Sequence, residues 1–308
     1  VEVVTGRDMT DRFKIKPTDF GPNKVVRFFD PRTEKTWAYV VVDNLERGPS
    51  LGGIRLAPDV TADQVYHLAS AMTLKSAAAM LPLGGGKAGI VCSPEYYQRH
   101  PDAKKALMNV MAQALFQVPD YVPGPDMGTS EEDMQTLYEA FTRLSGSPGH
   151  GRGGVGRPHE KGGLAIDEWG ITAHGLYAAA RVAEEFIDGF RIDGADVAVQ
   201  GYGNVGSHIA EKMADVGARV VGASDIHVAL YRREGLDLAG LSAVCHEPQG
   251  LSLYDGPVDA RFERGELNRL LEIPCDVLVP AARPDAVTCG NADRIRAKLI
   301  LEGANNPV

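Results

Sequence analysis

The stretch "VAVQGYGNVGSHIAEKMADVGARVVGASD" (Val197–Asp225) carries three patterns in succession. A short apolar run (Val197–Gln200) reads as a strand, and glycines follow at 201, 203 and 206. A helical segment (Val205–Val216) then leads to a second apolar run that ends in Asp225. Strand, glycine turn, helix and strand with a terminal acid form the order of a dinucleotide-binding βαβ unit. Gly201 permits the turn, Gly203 lets the backbone approach a pyrophosphate, and Gly206 lets the helix pack closely. The N–H groups of the first turn, at Asn204 and Val205, then face the phosphates with a favourable dipole. Asp225, 24 residues past Gly201, is placed to hold the hydroxyls of an adenine ribose and to repel a 2′-phosphate. NAD is therefore expected, while His227, Arg232 and Arg233 nearby keep NADP open. The alternative, a turn-rich α/β domain without a ligand, leaves the common register of glycines, helix and acid unexplained.

Outward from this unit, "DVLVP" and "KLILEG" are further short apolar runs, and the alternation predicts a parallel sheet with crossover helices. On the N-terminal side lies a helical segment, "TAHGLYAAARVAEEF". Before it, Ser145–Gly163 is too rich in glycine to bury a core and reads as a hinge. The expected organisation is a substrate-binding and oligomerisation domain over 1–150, a glycine-rich linker over 151–165 and a Rossmann-type domain over 166–308. His150 and His159 flank the glycine-rich stretch and read as loop residues.

Composition narrows the function classes. The 308-residue chain has 44% hydrophobic and 24% charged residues, as a soluble two-domain protein would. A net charge of −9, with no basic run, argues against a nucleic-acid partner. No apolar run is long enough to span a bilayer. The start, VEVVTGRDMT, has no signal-peptide pattern and no initiator Met, which suggests processing or a late beginning. Cys92, Cys245, Cys275 and Cys289 lie far apart, so reduced thiols and a cytoplasmic protein are expected. The histidine spacings predict no metal site.

The first half adds a strand at Thr36–Asn44, a helix from Thr61 to Met80, another over Asp102–Val118 and a third after Ser130. Lys75 sits near the end of the first of these helices. Twelve residues on, "LPLGGGKAGI" (Leu81–Ile90) sets Lys87 after three glycines in an apolar run. A buried lysine loses its hydration unless it is paired or neutralised. The stretch is thus either a tight bend with a surface lysine or the floor of a pocket. Asp126 lies in "YVPGPDMGTSEED".

Taken together, "GPSLGGIRLAPDV", "AMTLKSAAAMLPLGGGKAGI", "PGPDMGTS" and "GYGNVG" resemble, in order, the glutamate/leucine/phenylalanine/valine dehydrogenase family. The resemblance covers about Gly48 to Val308. It implies a two-domain α/β fold and oxidative deamination of an L-amino acid to a 2-oxo acid and ammonia with NAD(P). It implies that Lys75 binds the substrate α-carboxylate and that Lys87, on a glycine-rich loop, is the catalytic lysine. Asp126 would move protons to and from the substrate nitrogen. "TAHG" resembles a helix start whose threonine, here Thr172, touches the nicotinamide amide. "VPAA" and "EGANNP" resemble strand ends along the nicotinamide ribose, bringing in Ala281 and Asn305. A homo-oligomer built through the first domain is implied, with amino acid, 2-oxo acid and ammonia as the small-molecule partners.

Three departures stand out. Before Gly52 and Gly53, the glutamate branch has a lysine that pairs with the substrate's side-chain carboxylate, and here the residue is Leu51. A leucine cannot compensate a buried carboxylate, so a nonpolar substrate of the leucine or phenylalanine type is expected. Glutamate is the alternative, should another basic residue supply the charge. "GGLAIDEWGIT" replaces an S-L-x-R stretch, removing a basic residue. The chain stops at "EGANNPV", where family members continue into helices that complete a pocket wall, which leaves a truncated chain or a short variant as the two readings. A catalytically silent nucleotide-binding paralogue is the third functional reading, but it has no need of Lys75, Lys87 and Asp126 together.

Overall fold

The computed structural model describes residues 1–6, 8–147, 149 and 155–308. It divides into two compact units, Val1–Leu164 and Ala165–Val308. Of the expected hinge, His150 and residues 151–154 lie outside the described residues.

The first unit is built on β1 (Glu2–Val4), β2 (Lys24–Phe29), β3 (Thr36–Val42), β4 (Ser50–Ala57), β5 (Gly84–Val91) and β6 (Tyr121–Pro125), in the order β1-β2-β3-β5-β4-β6. Its helices are α1 (Asp8–Phe13), α2 (Ala62–Ala78), α3 (Pro94–Arg99), α4 (Pro101–Leu115) and α5 (Glu131–Ser145). The β-branched run at β3 alternates faces as a strand must. Val41 packs with Val65 and Ala69 of α2, while Val40 and Val42 join Met108, Met111 and Leu137 of α4 and α5. Crossover helices make β4 parallel to both β5 and β6. Thr61 caps α2 by accepting from the Gln64 N–H, and Ser130 caps α5 in a reciprocal box with Asp133.

The main revision concerns Leu81–Ile90. The expected bend or glycine-rich loop is an interior strand, β5, buried from Gly84 to Ile90. Glycine is required there by close approach. A Cβ on Gly85 would overlap the Thr73 backbone nitrogen and come within 2.6 Å of the Ala69 carbonyl, so α2 lies directly against this strand. The three glycines do not read as a strand in the sequence because glycine is a poor strand former.

The second unit holds α6 (Ile171–Phe186), β7 (Asp196–Gln200), α7 (Asn204–Ala214), β8 (Arg219–Ser224), β9 (Val228–Tyr231), α8 (Leu238–Val244), β10 (Ala260–Glu263), β11 (Val277–Pro280) and β12 (Leu299–Ile300). The order is β10-β9-β8-β7-β11-β12. β8, β7, β11 and β12 are parallel, as expected, but β9 runs antiparallel to both of its neighbours, β8 and β10, so the sheet is mixed. The reason is local. Only residues 225–227 separate β8 from β9, too few for a crossover. Val197, Val199, Ile209, Met213 and Val279 build the core on one face of the sheet, and Ala198, Val221, Leu270 and Leu278 on the other.

Candidate functional site

In the first unit, Ile54 of β4 pairs with Ala88 of β5, and Gly53 pairs with Gly124 of β6. Strand alternation therefore puts Leu51, Gly53 and Arg55 on the face that carries Lys87. Asp126 follows directly on β6 and lies over Gly53, where a Cβ would sit 2.6 Å from the Asp126 Cβ. The Lys87 Nζ lies 3.1 Å from Asp126 Oδ2, and the Arg55 Nε donates to the same oxygen at 3.0 Å. Lys87 is only 3% exposed and Arg55 only 5%. Arg55 has no role in the sequence reading. Its signal was there: a lone arginine inside the apolar run "SLGGIRLA" must find an acid when the strand is buried.

The turn that carries Asp126 is fastened to β4. The Thr129 Oγ1 accepts from the Asp126 N–H at 2.8 Å and lies 2.9 Å from the Ile54 carbonyl, to which it can donate. The Leu56 N–H donates to the Met127 carbonyl at 2.9 Å. Arg55 thus stands between the two residues that hold the Asp126 turn. The Tyr121 hydroxyl donates to the Gly52 carbonyl at 2.7 Å, which anchors the start of β4.

Two cations around one carboxylate leave a net positive charge in a dry place. Burial pushes the Lys87 amine below its ordinary value; Asp126 opposes this, and Arg55 and Lys75 add to it. Burial alone would raise Asp126, but Lys87 and then Arg55 outweigh it and hold the carboxyl below its usual range. Lys75, in the last turn of α2, is exposed, and its charge reaches Lys87. Leu51 is half-buried.

The second unit has its own cavity, of about 890 Å³. Gly201, Gly203, Asn204, Val205, Asp225 and Ala281 line it. Gly201 has a φ of +92°, which only glycine adopts readily. A Cβ on Gly203 would meet nothing within 4 Å, so the wall there is open for a ligand. Gly206 is buried in the first turn of α7 against the Gly201 carbonyl. The Asp225 carboxylate is pinned by three backbone donors: His227 and Val228 give to Oδ1, at 2.7 and 2.9 Å, and Leu251 gives to Oδ2 at 2.7 Å. His227 also lines the cavity, together with Arg264 and Arg283, which the sequence reading did not single out. Arg232 and Arg233 are not among the lining residues. Gln200, which also lines the cavity, has a buried Oε1 with no partner among the described residues. An open glycine wall, a helix N-terminus and an unmatched acceptor fit a dinucleotide. Thr172, exposed at the start of α6, and Asn305, beyond β12, are not among the residues lining this cavity. Among the described residues, no three His, Cys, Asp or Glu side chains gather as metal ligands, and no helix is long and apolar enough to cross a membrane.

Two family models match the chain. Residues 162–308 match Glutamate/Leucine/Phenylalanine/Valine dehydrogenase, and residues 22–143 match the Glu/Leu/Phe/Val dehydrogenase dimerisation domain. The glutamate dehydrogenase of Thermotoga maritima is 36% identical over 287 residues, 92% of this chain and 66% of that protein. The NAD-specific glutamate dehydrogenase of Staphylococcus aureus is 36% identical over 285 residues, 90% of this chain and 66% of its own length. Among solved structures, the leucine-bound form of the hetero-hexameric glutamate dehydrogenase from Thermus thermophilus has a TM-score of 0.76 at 30% identity. That match covers 92% of this chain and 67% of the other. The chain belongs to the Glu/Leu/Phe/Val dehydrogenase family. It spans about two thirds of the length of the curated relatives it matches.

Proposed function

We propose that this chain carries out NAD-linked oxidative deamination of an L-amino acid to its 2-oxo acid and ammonia, and the reverse, with glutamate as the substrate. The observation that carries the reading is the buried Lys87–Asp126 pair, 3.1 Å apart, with Arg55 on the same oxygen. NAD, when bound, would supply the hydride acceptor for the substrate carbon. Lys75 offers a cation to the α-carboxylate. Lys87, kept easy to deprotonate by burial and by its cationic neighbours, takes a proton from the attacking water as a neutral amine. Asp126, held as a carboxylate, exchanges protons with the substrate nitrogen. Gly201, Gly203, Asn204, Val205 and Gly206 seat the pyrophosphate, and Asp225 meets the adenine ribose. Thr172, Ala281 and Asn305 serve the nicotinamide end.

Glutamate is put ahead of the nonpolar substrate expected from Leu51 because the similar proteins carry glutamate in their names. One observation favours the nonpolar reading as the second: Leu51 lies on the same strand face as Arg55, alongside Lys87. The test is NADH formation at high pH from the twenty L-amino acids, with NAD and NADP in parallel. Turnover of glutamate with NAD supports the main reading, and turnover of leucine, valine or phenylalanine instead supports the second. NADH binding without any turnover means that the silent-paralogue reading holds. The match to a dimerisation domain supports a homo-oligomer, which light scattering of the purified protein would check.

A further inference from the structure

We propose that Arg55 is a positioning residue for the Lys87–Asp126 pair, fixing the Asp126 carboxylate over Gly53 so that it faces Lys87. The inference rests on the dehydrogenase reading above for its kinetic consequence, though not for its geometry.

Three observations converge on Arg55. It is buried on an interior strand, where an arginine persists only with a partner. That partner is the one oxygen, Asp126 Oδ2, that Lys87 also meets. Its strand neighbours on either side, Ile54 and Leu56, bond to the Thr129 and Met127 ends of the Asp126 turn. Backbone and side chain of residues 54–56 therefore hold the aspartate from three directions. A guanidinium suits this task because it stays charged at every working pH and directs its N–H groups in a fixed plane.

The charge has a second effect, whose sign follows from Coulomb's law. A fixed cation beside Lys87 disfavours the ammonium, and beside Asp126 it favours the carboxylate. Removing it makes both groups hold their protons to higher pH. The other charged and titratable groups that interact with the pair are Lys75 from α2 and Tyr121 from β6, while Asp43, just past β3, is engaged by Thr73 of α2 at 2.5 Å. None of these is altered by a change at residue 55.

The test compares wild type with Arg55→Met, Arg55→Gln and Arg55→Lys. Gln keeps a donor without the charge, and Lys keeps the charge without the fork. In Met and Gln the ascending limb of kcat against pH is expected to move up by about one unit, the scale of a nearby charge, while NADH affinity is unchanged. Lys is expected to restore the limb while leaving kcat below wild type. A reduced kcat with an unmoved limb in both Met and Gln would overturn the proposal and leave Arg55 a packing residue. Lysine labelled with ¹³C at Cε, with the Lys87 signal assigned by Lys87→Arg, reports the same titration by NMR without turnover. If wild type turns over no amino acid, the proposed function fails, and the NMR shift in Arg55→Gln still decides the role of Arg55. Should Met fail to fold, Gln and Lys carry the comparison.

Discussion

At the scale of single residues, the behaviour of Lys87 follows from three neighbours and a lack of water. Lys87→Ala leaves Asp126 paired with Arg55, so the fold and NADH binding should survive while kcat falls by a factor on the order of 10²–10⁴. Steady-state kinetics beside an NADH fluorescence titration would check both halves, and substantial residual turnover would contradict a catalytic role. Because the Lys87 value lies below the 10.5 of a free lysine, deamination should rise with pH through a midpoint below that of free lysine. Asp126 adds a stability effect of opposite origin. Its folded value is depressed, so the stability it contributes is present above the unfolded carboxyl value and is lost as pH falls through the folded one. Melting curves of wild type and Asp126→Asn should therefore converge in acid and separate toward neutral pH.

At the scale of elements, two glycines make contrasting predictions. On β5, Gly85 lies against the backbone of α2, and a methyl group there must push away the helix that carries Lys75. Gly85→Ala should cost about 1–3 kcal/mol of stability, as overpacking does, and denaturant unfolding would register it. On the turn before α7, Gly203 has open space at the same position and a φ of −97° that any residue accepts. Gly203→Val should leave the melting temperature unchanged and weaken NADH binding about tenfold or more, a loss of at least about 1.4 kcal/mol. Equal NADH affinity in that variant would remove the glycine turn from the nucleotide site.

On the scale of the whole molecule, each unit has a core of its own. The clusters around Val41 and Met108 draw only on residues before Leu164, and those around Val199 and Leu278 only on residues after it. Residues 165–308 expressed alone should accordingly fold cooperatively and bind NADH without turning over any amino acid. Circular dichroism and a fluorescence titration would test this, and an unfolded fragment would mean that the unit depends on the rest of the chain.

What the sequence determined by itself was local and periodic. The βαβ unit at Val197–Asp225, the cap at Thr61 and the helices that begin there and after Ser130 are written in neighbouring residues, because a turn, a cap and an amphipathic face each close within a few positions. The resemblance placed Lys75, Lys87 and Asp126 in one series. Tertiary structure alone decided the rest. That the glycines before Lys87 form an interior strand depends on the pairing of β5 with β3 and β4, which are distant in sequence, and on α2 folding back against it. The antiparallel pairing of β9 with β8 depends on a three-residue connection within an otherwise parallel pattern. The place of Arg55 depends on β6 coming to lie beside β4, which brings an acid 71 residues away onto its guanidinium. A buried charge shows in a sequence only as an anomaly, and its partner is known only once the strands are paired.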